Sequence, residues 1–509
     1  RDRMPLLLLL LLYLACLTTS WPEPPFGWAE AEQGVRWSSL LSLAVMSLVV
    51  VGAAWISRRA RRRLLFDPSR RETILRSYSR ARFLHLLSLF FFFGVALYAC
   101  GWGWAVHQFC ALPVDEQTRW LLPGAEFVVL SPIVLALVLS WCLFYDAERA
   151  FHDTAHPLLN LRPYWSRRDY VGFHLRQYLA LVFVPVFLVV VMLGTIRTWP
   201  GVFESGWMQY SAPLLLVVMI AFLPWILRLV LGLRSLPNGE MRRRLEAVAA
   251  RLRFRCSDIM LWNTHNGVAN ALVVGIVPWL RYVVLSDRLL EELTPDEVEA
   301  VFGHEAGHVK HQHMPYYLTF FILSMAVLVG GLQLVWPEKA DGENYLQMPF
   351  FLGSLGAYIF LVFGFLSRRC ERQADLYGCR AVSCGRPDCS GHDEGTVPTT
   401  GRDLCPTGIQ IFIQALERVA ILNGISRSRP GFLQSWQHST IDRRVRFLEE
   451  VAADPTVERR FQRRVGLVKW ALLLGLILLL GMVHLAVPQG LADSRDKQTN
   501  SPIAAPAAE

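Results

Sequence analysis

Charge is scarce in this sequence. Only 18% of its 509 residues are Asp, Glu, Lys or Arg, and several long stretches hold almost none of them. Soluble domains average about 25% charged residues, so an ordinary soluble protein built on one large core is excluded. Lysine is nearly missing, and the net charge of +9 rests on arginine. Where those arginines fall therefore says more than their sum. Internal repeats are absent as well, which leaves out solenoids and other stacked arrays. What remains is a chain 53% hydrophobic, its apolar residues gathered into runs, and long enough for more than one folding unit.

Runs of that length and purity are the signature of transmembrane helices. They fall at residues 39–56, 83–106, 121–144, 177–196, 211–233, 315–336, 348–366 and 467–487. Directly after the first stands SRRARRRLLFDPSRRETILRSYSRAR, residues 57–82. In isolation such a run suits nucleic acid, but beside a span it reads as a cytoplasmic flank under the positive-inside rule. Alternating from there places 145–176, 234–314 and 367–466 in the cytoplasm. The opposite loops, 107–120, 197–210 and 337–347, are short and poor in basic residues. Every loop agrees with one orientation, and no nucleic-acid partner is expected.

The opening RDRMPLLLLLLLYLACLTTS has an apolar run shorter than a comfortable span, behind arginines. It reads either as a signal-peptide core or as a short uncleaved anchor. Ala15-Cys16 faintly suggests a lipoprotein cleavage site, but Tyr13 stands where leucine is usual; Met4 is an alternative start. The division expected is this: a signal-like segment at 1–20, a membrane region of about five helices at 21–233, and the first part of a cytoplasmic domain at 234–314. Two spans follow within 315–366, then the rest of the domain at 367–466. A last span at 467–487 leads to a disordered tail at 488–509.

Within 234–314 the pattern changes. SLPNGEMRRRLEAVAARLRF sets Met241, Leu245, Val248, Ala249 and Leu252 at helical spacing. DIMLW (258–262), NALVVGI (270–276) and RYVVLS (281–286) read as strands, with NTHNG as a turn. After a short helix, SDRLLEEL, Thr294 is set to cap a longer one; Pro295 suits its first position and Glu297 completes a capping box.

That helix carries HEAGH. His304 and His308 are one turn apart on one face, so both imidazoles can reach one ion. Glu305 is turned about 100° away, beside the open coordination position, where a carboxylate would accept a proton from a water held there. Two histidines alone do not hold a catalytic zinc. In SRRCERQAD, Glu371 and Asp375 are four apart on a helix just past the span at 348–366, on the same expected side. Glu371 would be the third ligand, and Asp375 would accept the second ring N–H of a ligating histidine. A metzincin would need glycine at position 311 and histidine at 314, where this chain has His311 and Met314. His311 and His313 read as interfacial histidines rather than ligands.

HEAGH followed two spans later by ERQAD resembles the integral-membrane zinc endopeptidases of the HtpX and CAAX prenyl protease type, gluzincins. ANALVVG (Ala269 to Gly275) resembles that family's NAxxxG element, and LSDRLLEELTPDEVEAVFGHEAGHVKHQH matches the run into its zinc helix. WQHSTIDRRV resembles the late His-Pro-Ser motif with its arginine, which maps onto His438 and Arg444, although Ser439 replaces the proline. The resemblance covers roughly 235–450. It implies a mostly α, polytopic helical membrane protein with a cytoplasmic α+β zincin-type metallopeptidase domain. His304, His308 and Glu371 would bind Zn2+, and Glu305 would serve as base. His438 and Arg444 would help stabilise the oxyanion. Residues 270–275 would form an edge strand for an extended substrate, with Asn270 and Ala271 contacting it.

In the Gly/Pro-rich insert at 383–406, Cys384, Cys389, His392 and Cys405 cluster among turn residues. A cytoplasmic location argues against disulfides. The cluster is either a second, structural zinc site, with Cys379 as an alternative ligand, or a set of free thiols, and its spacing matches no common finger. The function expected is zinc-dependent cleavage of membrane or membrane-associated polypeptides at the cytoplasmic face, with protein quality control as the role by family analogy. The Arg-rich, Lys-poor composition points to a GC-rich, bacterial source, where prenylated substrates are not expected, and the localisation expected is a bacterial inner membrane. CAAX-type processing of prenylated C-termini is the narrower alternative, and a non-catalytic receptor or scaffold is the alternative of another class.

Overall fold

The computed structural model describes residues 31–113, 119–121, 124–159, 164–179, 187, 190, 211–335, 354–386, 389–392, 404–423, 425, 427 and 439–499. It falls into two compact units, Arg1–Leu233 and Arg234–Glu509.

In the first unit, α1 (Ala31–Phe66) carries an apolar run and continues into the basic stretch that follows. A 3₁₀ turn at Pro68–Arg70 ends it, since Pro68 has no backbone N–H to extend the helix. α2 (Arg71–Gly94) runs into a π-helical turn at Val95–Ala99, and Gly101 takes φ 75°. The run at 83–106, expected as one span, is therefore a helix, a turn and a short α3 (Trp102–Cys110). Glycine tolerates the left-handed conformation that the turn needs, and the Trp102 indole N–H fixes it by donating to the Val129 carbonyl at 3.0 Å. A two-stranded ribbon, β1 (Ala111–Pro113) with β2 (Arg119–Leu121), leads to α4 (Ala125–Leu159), α5 (Arg167–Tyr178) and α6 (Ser211–Leu231). Phe93, Leu97, Ile133 and Trp141 lie in the core of this bundle.

The second unit opens on β3 (Arg234–Ser235) and α7 (Glu240–Arg251). β4 (Asp258–Trp262), β5 (Ala271–Val274) and β6 (Tyr282–Ser286) occupy the three expected strand segments. Thr264, His265, Asn266 and Gly267 make the expected turn. His265 and Asn266 have φ of 49° and 59°, and Gly267 N–H donates to Thr264 O at 2.9 Å. The strand order is β3-β4-β6-β5, with β4 and β6 parallel and the other pairs antiparallel. β5 is thus an edge strand, while β6 between its neighbours is buried along its whole length.

Then come α8 (Asp287–Glu292), α9 (Pro295–Lys310), α10 (His313–Val335), α11 (Gly364–Ala381), α12 (Pro406–Leu422), α13 (Ile441–Ala453) and α14 (Pro455–Thr499). Leu245 and Val248 of α7 and Val298 and Phe302 of α9 pack with Ile259, Val283 and Leu285 of the sheet. Each such side chain contributes about 1.5–3 kcal/mol on burial. The tail expected to be disordered is helical as far as Thr499.

Among the described residues, five helical stretches are long and apolar enough to cross a membrane: Glu32–Phe66, Thr73–Ala99, Ala125–Thr154, His313–Leu332 and Pro455–Leu485. Their outer faces leave Leu48, Phe91, Leu135, Ile322 and Leu478 exposed, as suits helices solvated by lipid. The expected span at 177–196 lies mostly outside the described residues, as do 348–353 of the span at 348–366 and all of segment 1–20.

Candidate metal centre

α9 begins as its sequence requires. Thr294 Oγ1 accepts the Glu297 N–H at 3.4 Å, and Glu297 Oε2 accepts the Thr294 N–H at 2.7 Å, with Pro295 in the first turn. This reciprocal cap satisfies two of the N–H groups a helix start leaves orphaned. It holds the helix rigid two turns ahead of His304.

α9 then crosses α11 at very close range, and two glycines permit it. A Cβ on Gly303 would overlap the Ala381 Cβ; one on Gly307 would stand 2.7 Å from the Tyr377 Cβ and 3.0 Å from the Ala374 Cα. Glycine inside a helix costs about 1 kcal/mol relative to alanine. Here that cost is offset by an approach that no larger residue allows.

The crossing brings the donors together. His304 Nε2 lies 3.3 Å from His308 Nε2. Glu371 Oε2 is 3.8 Å from His304 Nε2, and Glu371 Oε1 is 3.7 Å from His308 Nε2. Two nitrogen lone pairs and a carboxylate thus converge, the donor set and spacing of a tetrahedral zinc site, whose ligand atoms stand about 3.3–3.5 Å apart. The residues fit the ion that the sequence implies, and their donor atoms all lie within 4.8 Å of one another.

The second nitrogen of each ring is also engaged. His304 Nδ1 faces Asp375 Oδ1 at 3.1 Å. Arg444 holds that carboxylate in turn, Nε donating to Oδ2 at 2.9 Å and an Nη to Oδ1, while another Nη stands 3.5 Å from Glu371 Oε2. Asp375 is fully buried and Arg444 nearly so. Burial alone would push the Asp375 carboxyl up, but the Arg444 charge and the bonds from His304 and Arg444 hold it below the ordinary value. For His304 burial acts downward, and the bond and charge of Asp375 together with Glu371 outweigh it, leaving the imidazole raised.

Arg444 thus contacts both Asp375 and Glu371. Its neighbour Arg443 is exposed on α13. His438, the other expected oxyanion group, lies outside the described residues.

His313, expected at the interface, is fully buried beside His308. Its Nδ1 lies 2.9 Å from His308 Nδ1, and its Nε2 lies 3.2 Å from Gln373 Oε1. The Gln373 amide nitrogen donates to Gln462 Oε1 at 2.6 Å, which leaves its oxygen to accept from His313. His313 Nδ1 is then an acceptor for the His308 Nδ1–H, and His308 keeps its Nε2 lone pair for the ion. No helical spacing announces this contact. α9 stops at Lys310, Gln312 takes φ 52°, and α10 restarts at His313, folding that ring back onto His308.

Glu305 points to the sheet edge, where its Oε2 accepts the Val273 N–H at 3.0 Å. Asn270, just ahead of β5, donates its N–H to Ser286 Oγ at 2.9 Å, and its carbonyl accepts the Ser286 N–H at 3.0 Å. Antiparallel pairing alternates, so Leu272 and Val274 bond toward β6 while the backbone groups of Ala271 and Val273 face the open edge. Cys384, Cys389, His392 and Cys405 gather in a second group whose donor atoms also lie within 4.8 Å of one another.

Comparison with known proteins accords with this geometry. Residues 235–392 match the sequence model of peptidase family M48. A protease HtpX homolog of Pyrobaculum aerophilum is 30% identical over 169 residues, covering 31% of this chain and 47% of the relative. A CAAX prenyl protease 1 homolog of Oryza sativa subsp. japonica is 32% identical over 113 residues, covering 22% of this chain and 26% of the relative. The chain thus spans half or less of the length of these relatives. The crystal structure of S. mikatae Ste24p aligns with 81% of this chain and 99% of its own, at 16% identity and a TM-score of 0.48. Over residues 235–392 the chain is thus similar to peptidase family M48, and it resembles the HtpX and CAAX prenyl proteases there.

Proposed function

We propose that this chain is a zinc-dependent membrane endopeptidase that hydrolyses peptide bonds of membrane or membrane-associated polypeptides at the cytoplasmic face. The observation that carries the reading is the meeting of His304, His308 and Glu371 beside Glu305, itself bonded to the edge strand β5. Bound there, zinc would supply a Lewis acid that polarises the scissile carbonyl and acidifies water.

The chain's own residues do the rest. His304, His308 and Glu371 hold the ion. The Glu305 carboxylate takes a proton from the attacking water and delivers it to the leaving amine. Asp375 and His313 keep the two imidazoles in the tautomers that bind metal, and Arg444 keeps Asp375 and Glu371 charged and in place. An extended substrate adds to the open edge of β5 through the backbone of Ala271, with Asn270 beside the reacting peptide and His438 as an oxyanion donor. Protein quality control is the role this chemistry serves in the proposal, and a bacterial inner membrane its setting.

The test is proteolysis by detergent-purified protein, wild type against Glu305→Gln. The variant should keep its zinc and lose cleavage by about 10²–10⁴-fold, the usual contribution of a general base. Equal activity in both would sink the mechanism, and zinc without cleavage of any substrate would favour a scaffold. A farnesylated CAAX peptide assayed beside an unfolded protein separates prenyl processing, the activity in the rice relative's name, from general endoproteolysis.

A further inference from the structure

The second cluster lies apart from the peptidase chemistry. Cys384 and Cys389 follow the end of α11, and Cys405 caps the start of α12. The three thiols are buried, at 6%, 7% and 0% exposure, and form a small core of their own. All are free of disulfides. His392 Nε2 reaches the Cys405 sulfur at 3.4 Å.

We propose that Cys384, Cys389, His392 and Cys405 bind a structural zinc, forming a Cys3His clip between α11 and α12. The four donor atoms lie within 4.8 Å of one another. Zn–S bonds of about 2.3 Å and a Zn–N bond of about 2.1 Å set tetrahedral ligand atoms roughly 3.5–3.8 Å apart, so closing the site needs only small side-chain shifts. The surroundings suit thiolates. The Gly408 N–H donates to the Cys405 sulfur at 3.2 Å, at the positive end of α12. The Thr407 hydroxyl lies 3.3 Å from the Cys389 sulfur. A disulfide would use two of the cysteines and leave the third and the imidazole unexplained.

The clip has a job to do. The Cys405 N–H donates to Ser383 Oγ at 3.2 Å, and Ser383 in turn donates to the Cys379 carbonyl at 2.8 Å, so the two helix ends are already stitched. Farther along α12 the Phe412 ring stacks on the His304 imidazole, centroids 5.8 Å apart and 23° between planes. Fixing the start of α12 fixes the wall behind a ligand of the other metal centre.

The full-length protein in detergent tests this with two readouts, zinc per chain and the thiolate-to-cobalt charge-transfer band after exchange with Co2+. The expected result is two zinc ions in wild type and one in a His304→Ala, His308→Ala variant that keeps the full cobalt band. Cys389→Ser and Cys405→Ser should each lose one zinc and the band. Cys389→His swaps one ligand for another and should keep both ions with a weaker band, which guards against variants that merely misfold. A His304→Ala, His308→Ala protein with no zinc, no cobalt–thiolate band and three freely alkylated thiols would overturn the proposal. Failure of the peptidase site looks different: wild-type zinc would be unchanged by the histidine substitutions while the band persisted.

Discussion

Gly307 of α9 rests against Ala374 of α11 with no room for a side chain, its Cβ position 3.0 Å from the Ala374 Cα. The two ligand-bearing helices touch through this bare backbone, and the distance from the histidine pair to Glu371 is set here. Gly307→Ala should force the helices apart at a cost of about 1–3 kcal/mol, the usual penalty of overpacking. The measurable outcome is a lower unfolding temperature together with weaker zinc binding. Wild-type zinc affinity in a well-folded Gly307→Ala protein would refute the argument.

Arg444 is the counter-ion of two buried carboxylates. Arg444→Ala removes the guanidinium from Asp375 and Glu371 and leaves histidines beside the two buried carboxylates, a defect that costs about 3–5 kcal/mol when a buried pair is broken. The pH dependence has a definite sign. Asp375 in the fold sits below its ordinary value of 3.8, so its contribution to stability is complete above the unfolded pKa and is lost as pH falls through the folded one. Metal-free wild type should therefore lose stability on acidification below about pH 4 more steeply than Asp375→Asn. Thermal unfolding across that window decides it.

The histidine that folds back should matter for metal rather than for substrate. His313→Ala removes the acceptor that orients His308, and partners of this kind typically weaken metal binding about 10–100-fold. Competition with a chelator measures the loss. Substrate KM in zinc-saturated enzyme should stay as it was, whereas a rise in KM with unchanged zinc affinity would assign His313 another task.

Ala271 offers a cleaner probe of the sheet edge. Its N–H faces away from β6, so Ala271→Pro removes an edge donor without breaking the pairing between β5 and β6. The expected outcome is a higher KM for extended substrates with zinc content unchanged. Equal KM in both proteins would place the substrate elsewhere.

Much of this site is legible in the chain before any folding is considered. Thr294, Pro295 and Glu297 mark a helix start by local chemistry alone, and the four-residue steps from His304 to His308 and from Glu371 to Asp375 survive into the structure because helices preserve spacing. The strands at 258–262, 271–274 and 282–286 stand out for the same local reason. Where the sequence misleads, a long-range event intervenes. The role of His313 depends on a break at Gln312, Arg444 finds its partners from a separate helix, and the duty of Gly303 and Gly307 exists only once α11 lies across them. In the first unit, the bend at Val95–Ala99 is hidden because its residues are as apolar as the helix before it.

The order of the pieces along the chain has a consequence for biogenesis. His304 and His308 are synthesised before α10, Glu371 only after residues 313–363 have followed, and Arg444 later still. A nascent chain therefore displays two histidines and a carboxylate base long before any third ligand exists. The donor set can therefore close only once the whole segment between α9 and α11 has been made.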